Sequence, residues 1–424
     1  VQEFWTEELE TLPAQELLTR QLAMAAAQTA RAVRDSEFYR KRFPNPPSDF
    51  AFADLDAFAD AVASTSKEQV IAAQTDDPPY GGLLAVPEDD LVRHYVYPAG
   101  QVLGWTATDH AALEDMYAAG LFAAGIRRTD RVDITFQYHW VVAGTIWDAA
   151  ARHLGAAVVP GGAGESAQHA ANMALLKTTC LIGFSTFIER IAASAEERGI
   201  SAADLGVRKI IIVGEWHGSD AKQRVAELYG GAAVREAYGT GETGLVAAEC
   251  DADPSGMHLH PDVLLEVRNE TTGELVPEGE GGEVYLTPLT NHAMPVLRFK
   301  TGDITESVRY EPCGCGRTTP RIGRIIGRSS QMLRVKGIFL SKPLVESVIS
   351  DVLTPVGPFL VTVDRPNGLD RLRLQIESAS DVPAETASKL EGRLKARATV
   401  AVEVEIVAAG TLGEPVSWFL DERA

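Results

Sequence analysis

Two pieces of sequence decide how this chain is read: R-E-A-Y-G-T-G-E-T-G, from Arg235 to Gly244, and L-R-F-K-T-G-D, from Leu297 to Asp303. The first reads as a strand end followed by a loop punctuated by Gly239, Gly241 and Gly244. Glycines there let a backbone approach a flat ligand closely or take φ > 0 without steric cost. Tyr238 offers a ring that can stack on a base, and Glu242 offers a carboxylate. The second piece closes a β-rich run with T-G-D, which predicts Asp303 on a turn after a strand. A carboxylate so placed suits the two hydroxyls of a ribose. Taken singly, each piece also reads as an ordinary turn.

Working outward, the segments before Arg235 alternate between strand and helix. Apolar runs at Arg131–Tyr138, Ala157–Pro160, Cys180–Phe184, Lys209–Val213 and Ala233–Ala237 are separated by helical periods at 143–154, 166–176, 185–198 and 219–229. Such alternation predicts an α/β, doubly wound sheet with buried strands. Residues 3 to 42 carry a helical period that Pro44 to Pro47 stop, and another helix is predicted at 108 to 124. From 245 to 310 the pattern turns β-rich. After Arg328 a small α+β unit is predicted, with strands at 357–363, 370–376 and 400–407 and a helix at 384–398. The expected division is therefore 1–328 and 329–424.

Bulk composition narrows the classes. A chain of 424 residues is too long for one core. A net charge of −20 argues against nucleic acid or an anionic membrane as partner. Apolar runs stay short of a membrane span, the first residues are acidic rather than leader-like, and four cysteines form no secreted disulfide framework. A cytoplasmic protein is expected, with a homodimer left open.

In this order the motifs resemble the adenylate-forming superfamily of acyl-CoA synthetases, luciferases and nonribosomal adenylation domains. Y-G-x-[T/S]-E, then T-G-D, then G-R-x-x-x-M with a following K/R-G carry the likeness, and the chain is most similar to phenylacetate–CoA ligases. S-E-F-Y-R-K-R-F (36–43), A-M-P-V-L-R-F (293–299) and C-G-C-G-R-T-T-P-R-I-G-R-I-I-G-R (313–328) extend it over nearly the whole length. The resemblance implies a large N-terminal domain of layered sheets and helices and a small mobile C-terminal α+β lid. It implies a CoA thioester and an aryl or acyl acid as ligands. Gly214, Glu215, Tyr238, Gly239, Asp303 and Arg324 would face a nucleotide or the adenosine of CoA. Tyr138, Trp140, Trp216 and Ala237 would line the acid pocket. His139 and Glu242 would be catalytic, His139 as a general base after a strand or else as a wall of the pocket. Arg328 and Ser330 would form a hinge, and Lys336 with Gly337 the CoA tunnel.

The chain departs from the pattern in places. Gly241 stands where Thr or Ser is usual. Where a Ser/Thr-rich phosphate loop is expected, between Arg93 and Trp105, the chain has Y-V-Y-P-A-G-Q-V-L-G-W, with no hydroxyl cluster and with Pro98 lacking a donor. No Lys follows Lys395, and Trp418 and Phe419 occupy a stretch expected to be polar. Both losses fall on adenylation, so ATP and magnesium are put in doubt. The leading expectation is ATP-independent acyl transfer between CoA and a carrier protein or small acceptor. An AMP-forming acid–CoA ligase and a non-catalytic binding protein are the alternatives. Finally, Cys313-Gly-Cys315 with Cys250 and His258 makes a candidate closed structural zinc site, His260 being a rival ligand. Cys180, inside an apolar strand, reads as a core thiol.

Overall fold

The computed structural model describes residues 3–98, 100–214, 220–335, 338–366, 370–378, 382–383, 385–398, 400–413 and 417–422. The chain divides into two compact units, Val1–Ile325 and Ile326–Ala424.

The first unit is built on a nine-stranded sheet. Its parallel half runs Ala157–Val159, Arg131–Ile134, Cys180–Gly183, Lys209–Val213 and Ala233–Thr240. The central strands Arg131–Ile134, Cys180–Gly183 and Lys209–Val213 are buried nearly end to end, as their continuous apolar content requires when helices cover both faces. Ala143–His153, Ser166–Leu176, Ser185–Glu196 and Ala221–Leu228 supply those helices. Beyond Ala233–Thr240 the sheet turns antiparallel through Gly244–Glu249, Met257–Leu259, Arg321–Ile322 and Val308–Arg309. A second sheet pairs Val263–Arg268, Gly282–Pro288, Phe299–Thr305 and the short Thr65–Ser66.

The N-terminal helices are held on this second sheet by long-range polar ties. Arg20 pairs with Asp262 at 2.6 Å, and the Gln21 amide donates to the carbonyls of Pro261 and Val263. The Tyr39 hydroxyl donates to the Pro295 carbonyl and accepts from the Leu297 amide. Ser66 and Gln69 cap each other at the start of Lys67–Asp76, which satisfies two otherwise orphaned donors.

The second unit has a four-stranded sheet in the order Glu403–Ala408, Arg371–Ser378, Phe359–Asp364, Phe419–Asp421, covered by Lys342–Ser350 and Thr386–Ala398. Val345, Val361, Val363, Leu374, Ile376, Leu390 and Leu394 are fully buried in its core. Each such aliphatic side chain contributes roughly 1.5–3 kcal/mol on burial. Two elements here escaped the sequence reading: the hairpin Met332–Val335/Ile338–Ser341 and the helix Lys342–Ser350. The final stretch is also a strand. Trp418 is buried against Phe359, and its carbonyl accepts from the Val361 amide. Apolar residues at 418 and 419 thus serve the core of this unit.

One buried charge pair lies within the parallel sheet. Asp133 lies 3.0 Å from His169 Nδ1, and His169 Nε2 lies 3.0 Å from the Gly162 carbonyl, with both side chains almost wholly buried. Burial by itself would lower the His169 pKa, but the hydrogen bond and charge of Asp133, with Gly162 and the nearby Glu165, outweigh it and raise the value. A raised histidine stabilises the fold fully below its unfolded pKa of about 6.5 and loses that contribution as pH rises through the folded value. Wild type should therefore lose stability relative to His169→Gln between pH 6 and pH 9. Denaturation midpoints that keep a constant difference over that range would contradict the charged pair.

Candidate functional site

In open α/β sheets, ligands sit outside the carboxyl ends of the strands. Gly214, residues 135–140 and the turn after Thr240 all follow parallel strands on that edge. The turn belongs to a hairpin, Ala233–Thr240 against Gly244–Glu249, so the predicted loop shrinks to Gly241–Thr243. Gly239 is required there, because a Cβ would strike the Gly244 carbonyl, and Gly244 holds φ +76°. The turn delivers Glu242 into the interior at 4% exposure. Lys67 Nζ, on the first residue of its helix, lies 3.6 Å from Glu242 Oε1, and that oxygen has no hydrogen-bond partner among the described residues. The hydroxyls of Thr240 and Thr243, on either side of Glu242 in the chain, lie 3.1 Å apart.

A second hairpin, Leu91–Val96 and Val102–Thr106, faces this turn. Its tip is tight, since the Tyr97 amide donates to the Gln101 carbonyl and the Gly100 amide to the Tyr97 carbonyl. Strand and turn match the sequence expectation, and the tip has no Ser or Thr. The Tyr97 ring lies on Gly241. A Cβ at 241 would stand 2.5 Å from both Cζ and the hydroxyl oxygen of Tyr97. The Val142 main chain approaches that hydroxyl, which nevertheless lacks a partner in hydrogen-bonding geometry among the described residues. Burial first, then the neighbouring Tyr117 hydroxyl and Glu242 carboxylate, push the Tyr97 hydroxyl far above the ordinary phenol range, so it stays a proton donor.

Asp303 is placed differently from the expectation. It lies inside the strand Phe299–Thr305, not on a turn, at 6% exposure. Gly302 has φ +75°, which explains why T-G-D read as a turn. Tyr238, expected to be free for stacking, is buried in the β-rich core and donates its hydroxyl to Asp303 Oδ2 at 2.8 Å. The two predicted nucleotide residues are thus brought together, as partners of each other.

Other candidates scatter. Tyr138 is half-buried and donates to Asp148 at 3.2 Å, whereas His139 and Trp140 are exposed and Trp140 holds φ +67°. Ala237 lies within the strand Ala233–Thr240 and is buried in the core. Arg324 pairs with Glu306 at 3.5 Å. Gly214, at φ +89°, lies against the Phe184 ring. Arg328 ends the strand Ile325–Arg328, and Ser330 sits in the short 3-10 turn that follows. Glu215, Trp216, Lys336 and Gly337 lie outside the described residues. Lys67, Tyr97 and Gln101 were not singled out from sequence. The available signal was the pairing of an aromatic at 97 with a glycine at 241, which no local pattern connects.

The metal candidate does assemble. The ligand atoms of Cys250, His258, Cys313 and Cys315 lie within 4.8 Å of one another. Cys250 Sγ is 3.9 Å from Cys313 Sγ, and Cys315 Sγ is 3.6 Å from His258 Nε2. Tetrahedral zinc with Zn–S near 2.3 Å sets sulfurs about 3.8 Å apart, so the residues fit the ion. His258 Nδ1 is 3.2 Å from the Thr319 hydroxyl, a contact that orients the ring as outer partners of metal-bound histidines do. The rival, His260, is not part of this cluster, and its Nδ1 accepts from the Asp262 amide. Cys180 is fully buried, and burial first of all raises its thiol pKa, as a core thiol requires.

Comparison with known proteins gives the context. The family described as AMP-binding enzyme matches residues 110–288. A phenylacetate–coenzyme A ligase of Thermus thermophilus is 29% identical over 384 residues, 87% of this chain and 83% of that protein. The protein of the same name from Escherichia coli K12 is 26% identical and covers 95% and 94% of the two chains. A crystal structure of an open conformation of 2-hydroxyisobutyryl-CoA ligase, in complex with 2-HIB-AMP and CoA, superposes with a TM-score of 0.84 at 22% identity, over 99% of this chain and 95% of that one. No helix among the described residues is long and apolar enough to cross a membrane. Residues 110–288 thus match the AMP-binding enzyme family, and over most of its length the chain is similar in sequence to phenylacetate–coenzyme A ligases.

Proposed function

We propose that the protein is an AMP-forming acid–coenzyme A ligase. The observation that carries this reading is Glu242, a buried carboxylate with one oxygen unpartnered among the described residues and Lys67 beside it, at the carboxyl edge of the sheet. A structural carboxylate would have both oxygens satisfied. The overlap with phenylacetate–CoA ligases over nearly the full length of both chains supports it.

The reaction has two halves. The carboxylate of the acid attacks the α-phosphorus of ATP, forming acyl-AMP and releasing pyrophosphate. The thiol of CoA then attacks the acyl carbon, and AMP leaves as the thioester forms. Magnesium bound with ATP would neutralise phosphate oxygens, and Glu242 Oε1 is the oxygen open to it. Lys67 holds the Glu242 carboxylate by charge, and the Thr240 and Thr243 hydroxyls offer donors to a phosphate oxygen. Asp303, oriented by Tyr238, is assigned to the ribose. His139, exposed beside Trp140, is assigned to the rim of the acid site. Exchange between the half-reactions is assigned to movement of the C-terminal unit about Arg328–Ser330.

The second reading, acyl transfer from CoA to a carrier protein or small acceptor without ATP, draws on the hydroxyl-free tip at Pro98–Gln101 and on Trp418, which the second unit uses for packing. Supplying ATP, CoA and a panel of aryl and short-chain acids separates the two. Acid-dependent pyrophosphate release is expected. A protein that releases none, yet moves an acyl group from supplied phenylacetyl-CoA, would replace the ligase reading with the second one.

We also assign one zinc to Cys250, His258, Cys313 and Cys315. All four positions are filled by protein, so the ion ties strands together and leaves no place for a reacting water. About one equivalent of zinc is expected by elemental analysis, falling sharply in Cys313→Ser together with the melting temperature. Protein never exposed to chelator that carries less than about a tenth of an equivalent would refute the assignment.

A further inference from the structure

Three side chains around the facing hairpins, the half-buried Tyr97 and the buried Glu242 and Gln101, hold buried polar atoms with no hydrogen-bond partner among the described residues: the Tyr97 hydroxyl, Glu242 Oε1 and both amide atoms of Gln101. Gln101 is 1% exposed and Glu242 4%. A native interior rarely leaves such groups unmatched, and a cluster of them points to a bound group. Tyr97 is the telling member. Phe would fill the same space among Tyr95, Trp105 and Tyr117 and would remove an unpartnered buried hydroxyl. A phenol retained there therefore has a use outside the folded chain's own packing.

Its position says which use. The Tyr97 oxygen lies 2.5 Å from where a Cβ on residue 241 would stand. The Tyr97 hydroxyl therefore fills the space that the first atoms of a side chain on residue 241 would need. The chain thus places a hydroxyl at the head of the Glu242 turn without carrying it on the turn. Glycine at 241 is the condition for this, since any Cβ would displace the ring.

We propose that Tyr97 is a substrate-contacting residue, whose hydroxyl donates to an anionic phosphate oxygen of the nucleotide or acyl-adenylate beside Glu242 and Lys67. This rests on the ligase reading and adds to it a specific donor, supplied by the hairpin tip in place of the hydroxyls that tip lacks. A hydrogen bond to a charged oxygen, lost alone, weakens binding about 10- to 100-fold.

The test compares wild type, Tyr97→Phe, and the double variants Tyr97→Ala/Gly241→Thr and Tyr97→Ala/Gly241→Ala. ATP with magnesium and AMP are titrated by calorimetry, and acid-dependent pyrophosphate exchange and melting temperature are measured. Tyr97→Phe is expected to melt no lower than wild type without ligand, to bind nucleotide 10- to 100-fold more weakly, and to exchange pyrophosphate correspondingly slowly. The Thr double variant should recover most of the loss, because removing the ring makes room for a hydroxyl on the turn. The Ala double variant should not. Equal nucleotide affinity in Tyr97→Phe and wild type overturns the proposal, as does wild type that binds neither ATP nor AMP. Nucleotide binding that depends on Tyr97, in a protein that releases no pyrophosphate with any acid, supports the Tyr97 contact and removes the ligase reading instead.

Discussion

Glu242→Gln is expected to slow acid-dependent pyrophosphate release by about 10²- to 10³-fold, the range seen when one preorganised electrostatic contact to a developing charge is removed. Shape is kept, so the loss reads charge alone. The folded state should hardly notice. Oε1 makes no hydrogen bond among the described residues, and the Lys67 side chain is 38% exposed and can turn to water. Relief of a buried carboxylate can even raise the melting temperature. Nucleotide-dependent stabilisation should shrink in parallel, since ligand binding stabilises by mass action. A variant with near wild-type turnover would show that the carboxylate belongs to the fold rather than the chemistry.

Arg298→Ala is expected to produce the largest stability loss, about 3–5 kcal/mol, because it leaves a buried charge unpaired. Arg298 Nε donates to Glu266 Oε1 at 2.9 Å, Nη2 donates to Oε2 at 3.0 Å, and Nη1 donates to the carbonyls of Ala59 and Val62. Glu266 is 1% exposed, and Arg268 holds its other side at 2.7 Å. The guanidinium therefore joins the helix Leu55–Ala61 to the strands Val263–Arg268 and Phe299–Thr305. The N-terminal unit's transition should fall by roughly 10 °C. Arg298→Lys should recover only part of this, since an ammonium cannot reach both carboxylate oxygens and two carbonyls in one plane. A shift of under about 2 °C in Arg298→Ala would mean that Arg268 alone satisfies Glu266.

The parallel half of the sheet was legible because strands buried on both faces must be apolar throughout. Helices between them carry a 3.6-residue period, so the strand Lys209–Val213 and a helix near 166–176 were placed correctly. The cluster of Cys250, His258, Cys313 and Cys315 was legible because Cys-Gly-Cys is a local signal. Choosing His258 over His260 rests on register, since one faces Thr319 and the other the Asp262 amide. Asp303 was misplaced because a glycine in a strand and a glycine in a turn look alike in sequence. The Tyr97–Gly241 fit was invisible for a different reason: the two residues are 144 positions apart (241 − 97), and only the packing of two hairpins brings them together. The lack of Ser and Thr at residues 97–101, read as a loss, overlooked the phenol of Tyr97 in the same tip.

The ties between the first helices and the second sheet also set an order of events during synthesis. Gln21 finds its partners 240 and 242 residues later, and Tyr39 finds Pro295 after 256. At roughly 5–20 residues per second, those 256 residues take on the order of ten to fifty seconds to emerge. For that interval Leu17, Leu22, Tyr39 and Phe58, all buried in the finished protein, have no sheet to cover them. This segment is thus made long before the sheet that shields it, and it is where a holding chaperone would have much to grip.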